Sequence, residues 1–107
     1  MASRPRMWKI DSEMQRFCAL LEEEVSTWPT VNRRPMFGMI AMYHGRKIFA
    51  AIPRTRAAQT ERSVLIKLPA AIESRTRQRS WTTVELSSGK DIARALRLLK
   101  QAYENAK

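Results

Sequence analysis

Two apolar runs set almost back to back constrain this chain more than any other feature. Met36-Phe37-Gly38-Met39-Ile40-Ala41-Met42-Tyr43 leads into His44-Gly45 and then Arg46-Lys47-Ile48-Phe49-Ala50-Ala51-Ile52. Extended runs joined by a two-residue link that ends in glycine predict a β-hairpin. With His44-Gly45 as the turn, Tyr43 faces Arg46, and the pairing runs back through Ala41/Ile48, Met39/Ala50 and Phe37/Ile52. The other face then carries Met42/Lys47, Ile40/Phe49 and Gly38/Ala51. Both faces are mostly apolar, whereas an antiparallel sheet with one wet face alternates. One face is therefore expected under helices, and the other needs cover from this chain or from a partner.

Two amphipathic segments can supply the first cover. After a loose basic arm over residues 1–10, Asp11 or Ser12 can cap a helix with its apolar stripe at Met14, Phe17, Cys18, Leu21, Val25 and Trp28. Pro29 ends it. Near the C-terminus Ser88 caps a second helix, with Asp91 completing a capping-box variant and a stripe at Ile92, Ala95, Leu96, Leu99, Ala102, Tyr103 and Ala106. Between them, 30–35 reads as a short link and Pro53–Arg62 as an exposed loop. Val64–Leu68 reads as a third strand, Ala70-Ala71-Ile72 as the start of a short helix, and Trp81–Leu86 as a fourth strand. The order predicts an α+β domain over residues 11–107, a two-layer antiparallel sheet with N- and C-terminal helices.

Charge is unevenly placed. Residues 33–79 carry eleven Arg or Lys against two carboxylates, net +9, while residues 1–32 are net −1 and residues 80–107 net +2. Such a field attracts polyanions and acidic protein surfaces. An apolar content of 44% argues for a folded domain, not a basic tail. One cysteine excludes an intrachain disulfide, and no run has the length of a signal-peptide core or a membrane span. A cytoplasmic, non-membrane protein is expected.

Material for catalysis is scarce. His44 is the sole histidine and reads as an exposed turn residue, and Cys18 falls on a buried helical stripe. Glu22, Glu23 and Glu24 point about 100° apart on a helix and do not converge on a metal ion. The three glycines are scattered singly and form no phosphate loop. No catalytic residue, metal or cofactor is expected.

Two sets remain as candidate sites. Met36, Met39 and Met42 with Ile40 and Phe49 are either a pliable interface, as methionine-rich faces provide, or the core of a central strand. Arg54, Arg56 and Arg62 in the loop and Arg75, Arg77 and Arg79 before the fourth strand are candidate polyanion contacts, with Trp81 or Tyr43 as a stacking surface.

The run Arg34-Pro35-Met36-Phe37-Gly38, with the Tyr43-His44-Gly45 turn and Lys47-Ile48-Phe49-Ala50, resembles the N-terminal domain of the TfoX (Sxy) competence regulators. Leu65-Ile66-Lys67 is similar to that family's third strand. Trp81…Val84-Glu85-Leu86 and the ending Ala102-Tyr103…Ala106 are similar to its closing segment and to that of YjbR-like proteins. The resemblance implies a two-layer α+β fold related to secretion-chaperone-like domains, no catalytic residues, and a role in transcriptional control. The longer, more basic Pro53–Arg62 departs from it, and the C-terminal half of those regulators has no counterpart in this sequence. The expected function is a small non-enzymatic interaction or regulatory domain, homodimeric through its sheet. The alternative is direct nucleic-acid binding through the basic middle segment.

Overall fold

The computed structural model describes residues 8–69 and 79–106. In chain order it contains β1 (Trp8–Lys9), α1 (Ser12–Ser26), β2 (Val31–Met36), β3 (Met39–His44), β4 (Lys47–Pro53), β5 (Arg56–Ala57), β6 (Ser63–Pro69), β7 (Arg79–Glu85) and α2 (Lys90–Asn105). The expected α+β architecture is present. Five strands form one antiparallel sheet in the order β2-β3-β4-β6-β7, and β1 pairs with β5 in a separate two-stranded ribbon.

The first helix starts where the sequence says, and the second within a residue of it. The Asp11 carboxylate accepts from the Met14 N–H at 2.8 Å, which caps α1. At α2 the Ser88 hydroxyl accepts from the Lys90 N–H at 3.3 Å, while Asp91 accepts from the Ser88 N–H at 3.2 Å. The N-cap itself is Gly89, one residue later than expected, and the Asp91 carboxylate also accepts from the Ser87 N–H at 2.7 Å, so the Ser88–Asp91 capping box is not formed as expected. The helices bury Met14, Cys18, Leu21 and Val25 of α1 and Ala95, Leu99, Ala102 and Tyr103 of α2. Their partners are Ile40 and Met42 of β3, Phe49, Ala50 and Ile52 of β4, Val64 and Ile66 of β6, and Val84 of β7.

The hairpin differs from the expected one. Its turn is Gly45-Arg46, with His44 opposite Lys47 and Tyr43 opposite Ile48. Gly45 supplies the positive φ of 64° at the first turn position. A bulge between Met42 and Tyr43 then shifts the register, so Met42 faces Ala50 and Ala41 faces Ala51. Because of that extra residue, neighbouring Phe49 and Ala50 both lie in the helix-side core.

The link at 30–35 is instead largely strand β2, joined to β3 by Phe37-Gly38. Both residues have positive φ, 50° and 77°, as a two-residue type I′ turn requires. Gly38 is also closely approached: its carbonyl accepts from the N–H groups of Arg54, Thr55 and Arg56 at 2.9–3.1 Å. A Cβ there would lie 2.7 Å from Arg56 Cγ. The arm expected over residues 1–10 is not loose at its end, because Trp8 and Lys9 pair with Ala57 and Arg56, and Ile10 is buried. The short helix expected at Ala70-Ala71-Ile72 lies outside the described residues.

Candidate functional site

Side chains alternate across a strand, so the pairing registers assign each residue to one face of the sheet. One face is sealed by α1 and α2. On the other, a cross-strand row runs Arg34, Ala41, Ala51, Leu65 and Thr83. Beside it Asn32 pairs with Tyr43, Tyr43 with Ile48, and Lys67 with Trp81. On its other side Met36 pairs with Met39. Among the described residues no helix lies over this face, and Trp81 is 44% exposed.

The face is neither flat nor featureless. A concavity of about 350 Å³ is lined by Met36, Ala51, Gln59, Leu65, Trp81 and Thr83. A second, polar concavity of about 450 Å³ lies at the β2–β3 end, lined by Asn32, Arg33, Arg34, Tyr43, Gly45 and Arg46. Each aromatic ring of the face has its own cation. Arg34 Cζ lies 5.8 Å from the Tyr43 ring centre, and Lys67 Nζ lies 5.4 Å from that of Trp81.

Two of the arginines singled out from the sequence, Arg54 and Arg62, are tied elsewhere. Arg54 donates to Glu22 at 2.7 Å, and Arg33 donates to the same carboxylate at 2.8 Å. Those bonds, Arg54's foremost, hold the Glu22 carboxyl below its ordinary range against the opposing effect of burial. Arg62 donates to Glu13 at 2.7 Å and lies 3.6 Å from Asp11. Arg54 and Arg62 of the 54–62 segment therefore reach α1, whose carboxylates match their charge, while Gln59 between them lines the concavity on the other face. The segment is also fastened: buried Ser63 Oγ accepts from the Gln59 and Thr60 N–H groups and donates to the Thr60 carbonyl. Arg56 is exposed and, among the described residues, makes no ion pair. Arg75 and Arg77 lie outside the described residues, and Arg79 opens β7. Of the six, Arg54 and Arg62 are committed to carboxylates at and near the start of α1 and along it.

The methionine set divides. Ile40, Met42 and Phe49 are in the core beneath the helices and are unavailable as an interface. Met36 and Met39 belong to the opposite face, Met36 part-exposed and Met39 buried beside the Gly38 turn. Sequence reasoning did not single out Arg34, Lys67, Leu65 or Ile48 as site residues. The signal that finds them is alternation counted in the bulged register.

His44 is no exposed turn residue. Its ring stacks on Tyr103 at 4.1 Å, and Nδ1–H donates to the Tyr103 carbonyl at 2.7 Å, near the end of α2. A carbonyl only accepts, so Nδ1 carries the proton. The Tyr103 hydroxyl in turn donates to the Pro29 carbonyl at 2.7 Å. Cys18 is buried, and desolvation followed by the nearby Glu22 charge pushes its thiol up to about 12, which leaves it unreactive. Among the described residues no three His, Cys, Asp or Glu side chains gather as metal ligands, and no helix is long and apolar enough to cross a membrane. In comparisons with known proteins, no family model, no curated protein and no solved structure matches this chain at a significant level.

Proposed function

We propose that this chain is a non-enzymatic binding domain whose sheet face opposite α1 and α2 holds its partner. The observation that carries the reading is the separation of charge and apolar surface between the two sides of the sheet. The α1 side carries Asp11, Glu13 and Glu22 and uses them on Arg33, Arg54 and Arg62. The open face presents Met36, Leu65, Tyr43 and Trp81 with Arg34 and Lys67, and its one described carboxylate, Glu85, already accepts from Thr60 Oγ1 at 2.8 Å. An exposed apolar surface rimmed by cations suits an acidic partner.

A homodimer through the same sheet is the weaker fit. Three of the five residues expected at its interface, Ile40, Met42 and Phe49, are core. Two open faces brought together would also oppose like charges in a chain of net +10. A regulatory or adaptor role, in keeping with the transcriptional control that the TfoX-like resemblance implies, is one that such a face can serve.

A photo-crosslinking amino acid placed at position 65, and separately at position 94 on α2, tests the reading in whole cells making the full chain. Adducts from position 65 and none from position 94 are expected. Adducts from position 94 alone, or from neither, would overturn it.

A further inference from the structure

We infer that the partner of the open sheet face is single-stranded nucleic acid, with bases stacked on Tyr43 and Trp81 and phosphates met by Arg34, Arg46 and Lys67. The inference rests on the binding-face reading above and names its ligand. Its basis is a repeated unit: an aromatic ring with a cation beside it occurs twice on one face, as Tyr43 with Arg34 and Trp81 with Lys67. Every base has a flat face for a ring to stack on, and every nucleotide brings a phosphate for the neighbouring cation.

The spacing suits a short strand. Tyr43 pairs with Ile48 on β4, and Trp81 pairs with Lys67 on β6. The two rings thus stand three inter-strand spacings apart across the sheet, about 14 Å. That distance is bridged by a few nucleotides. Between the rings lie Ile48 and Lys67, and beside them runs the row of small and apolar side chains Ala41, Ala51 and Leu65, so a strand can pass from ring to ring without meeting a described acid. At the Tyr43 end the polar concavity adds Asn32 and Arg46 around the ring.

A duplex is a poor occupant. Its bases are stacked on one another, so rings lying on a sheet face gain nothing from them, whereas unstacked bases are available to aromatic platforms. An exposed cation–π contact is also weaker than base stacking, so a base displaces the cation from the ring and the released cation turns to the phosphate. An acidic protein would satisfy the cations but leave the two rings without a matching set of flat groups.

Fluorescein-labelled dT12 and U12, with a 12-base-pair duplex as control, test this by anisotropy titration across salt. At least one single strand is expected to bind on the order of tenfold tighter than the duplex. Three phosphate contacts predict a log–log salt slope of about −2. Trp81→Leu should weaken binding on the order of tenfold or more. Lys67→Gln should lower the slope by about 0.7, and it keeps the test informative if Trp81→Leu fails to fold. Arg97→Gln, a charge-matched change on α2, should leave affinity within about twofold, since it removes no contact on the face. Equal or tighter duplex binding, no binding at ~50 mM salt, or equal losses from Lys67→Gln and Arg97→Gln would each overturn the inference. If the oligonucleotides fail while the cross-linker at position 65 still captures a protein, this inference falls and the binding-face reading stands. If both fail, both fall.

Discussion

Arg54 and Arg62 on one side of the molecule, and Arg34 and Lys67 on the other, come from the same basic stretch of sequence. Arg54 and Arg62 end on α1, each within 2.7 Å of a carboxylate. Arg34 and Lys67 end on the open sheet face beside aromatic rings. A run of positive charge is therefore no single functional unit. The fold consumes one part of it internally and presents another, and only side-chain placement tells them apart. The two faces of the sheet show the same division for apolar residues: Met42 seals a core, while Leu65, equally apolar, faces outward.

The largest expected effect separates those two faces. Met42→Lys buries an unpaired charge beneath both helices and should cost several kcal/mol, enough to unfold a domain of ordinary stability. Leu65→Lys, on the open face, should cost no more than about 1 kcal/mol. Urea denaturation of the two variants checks this, and equal losses would mean that the open face is also core.

Next comes the knot that sets the basic segment against α1. Gly38→Ala strains a residue at φ 77° and crowds Arg56 and Thr55, whose N–H groups bond the Gly38 carbonyl. A loss of about 1–3 kcal/mol is expected in thermal or urea unfolding. A neutral result would mean that the 54–56 anchor is unimportant.

Glu22 sharpens the comparison more gently. Its folded pKa lies below the ordinary 4.5 because Arg54 and Arg33 donate to it. A depressed carboxylate contributes stability that is present above the unfolded value and lost as pH falls through the folded one. The loss should thus begin near pH 4.5 and deepen below it. Glu22→Gln should remove up to about 1 kcal/mol at pH 7, since both arginines are half exposed. Stability of the variant measured from pH 7 to pH 3 should fall less steeply than that of the parent. Parallel curves would deny Glu22 its role.

The helices were legible because their apolar residues repeat at 3.6 positions and their caps are local. Strand β2 was not, because Arg33, Arg34 and Pro35 carry no apolar alternation. It is an edge strand, where proline and charge are tolerated and guard against unwanted pairing. The hairpin was legible and its register was not: Gly45 can close either of two turns, and a one-residue slip exchanges the faces. The bulge at Met42/Tyr43 leaves no mark in composition. The ribbon β1–β5 is two residues wide, too short for any period. The candidate site was half visible. Tyr43 and Trp81 stood out as stacking residues, but the pairing of Arg54 with Glu22 and of Arg62 with Glu13 spans 32 and 49 residues. No local pattern reports a contact at that separation, so tied and untied arginines look alike in sequence.

One measurement confronts the two groups of cations directly. The double variants Arg34→Gln/Lys67→Gln and Arg54→Gln/Arg62→Gln remove equal charge, and both can be titrated with labelled dT12 and U12 across salt. The sheet-face pair should lose affinity on the order of tenfold or more and lower the log–log slope by about 1.4, while the α1-tied pair stays near the parent. An equal or larger loss from Arg54→Gln/Arg62→Gln would contradict the account and return the binding surface to the basic loop.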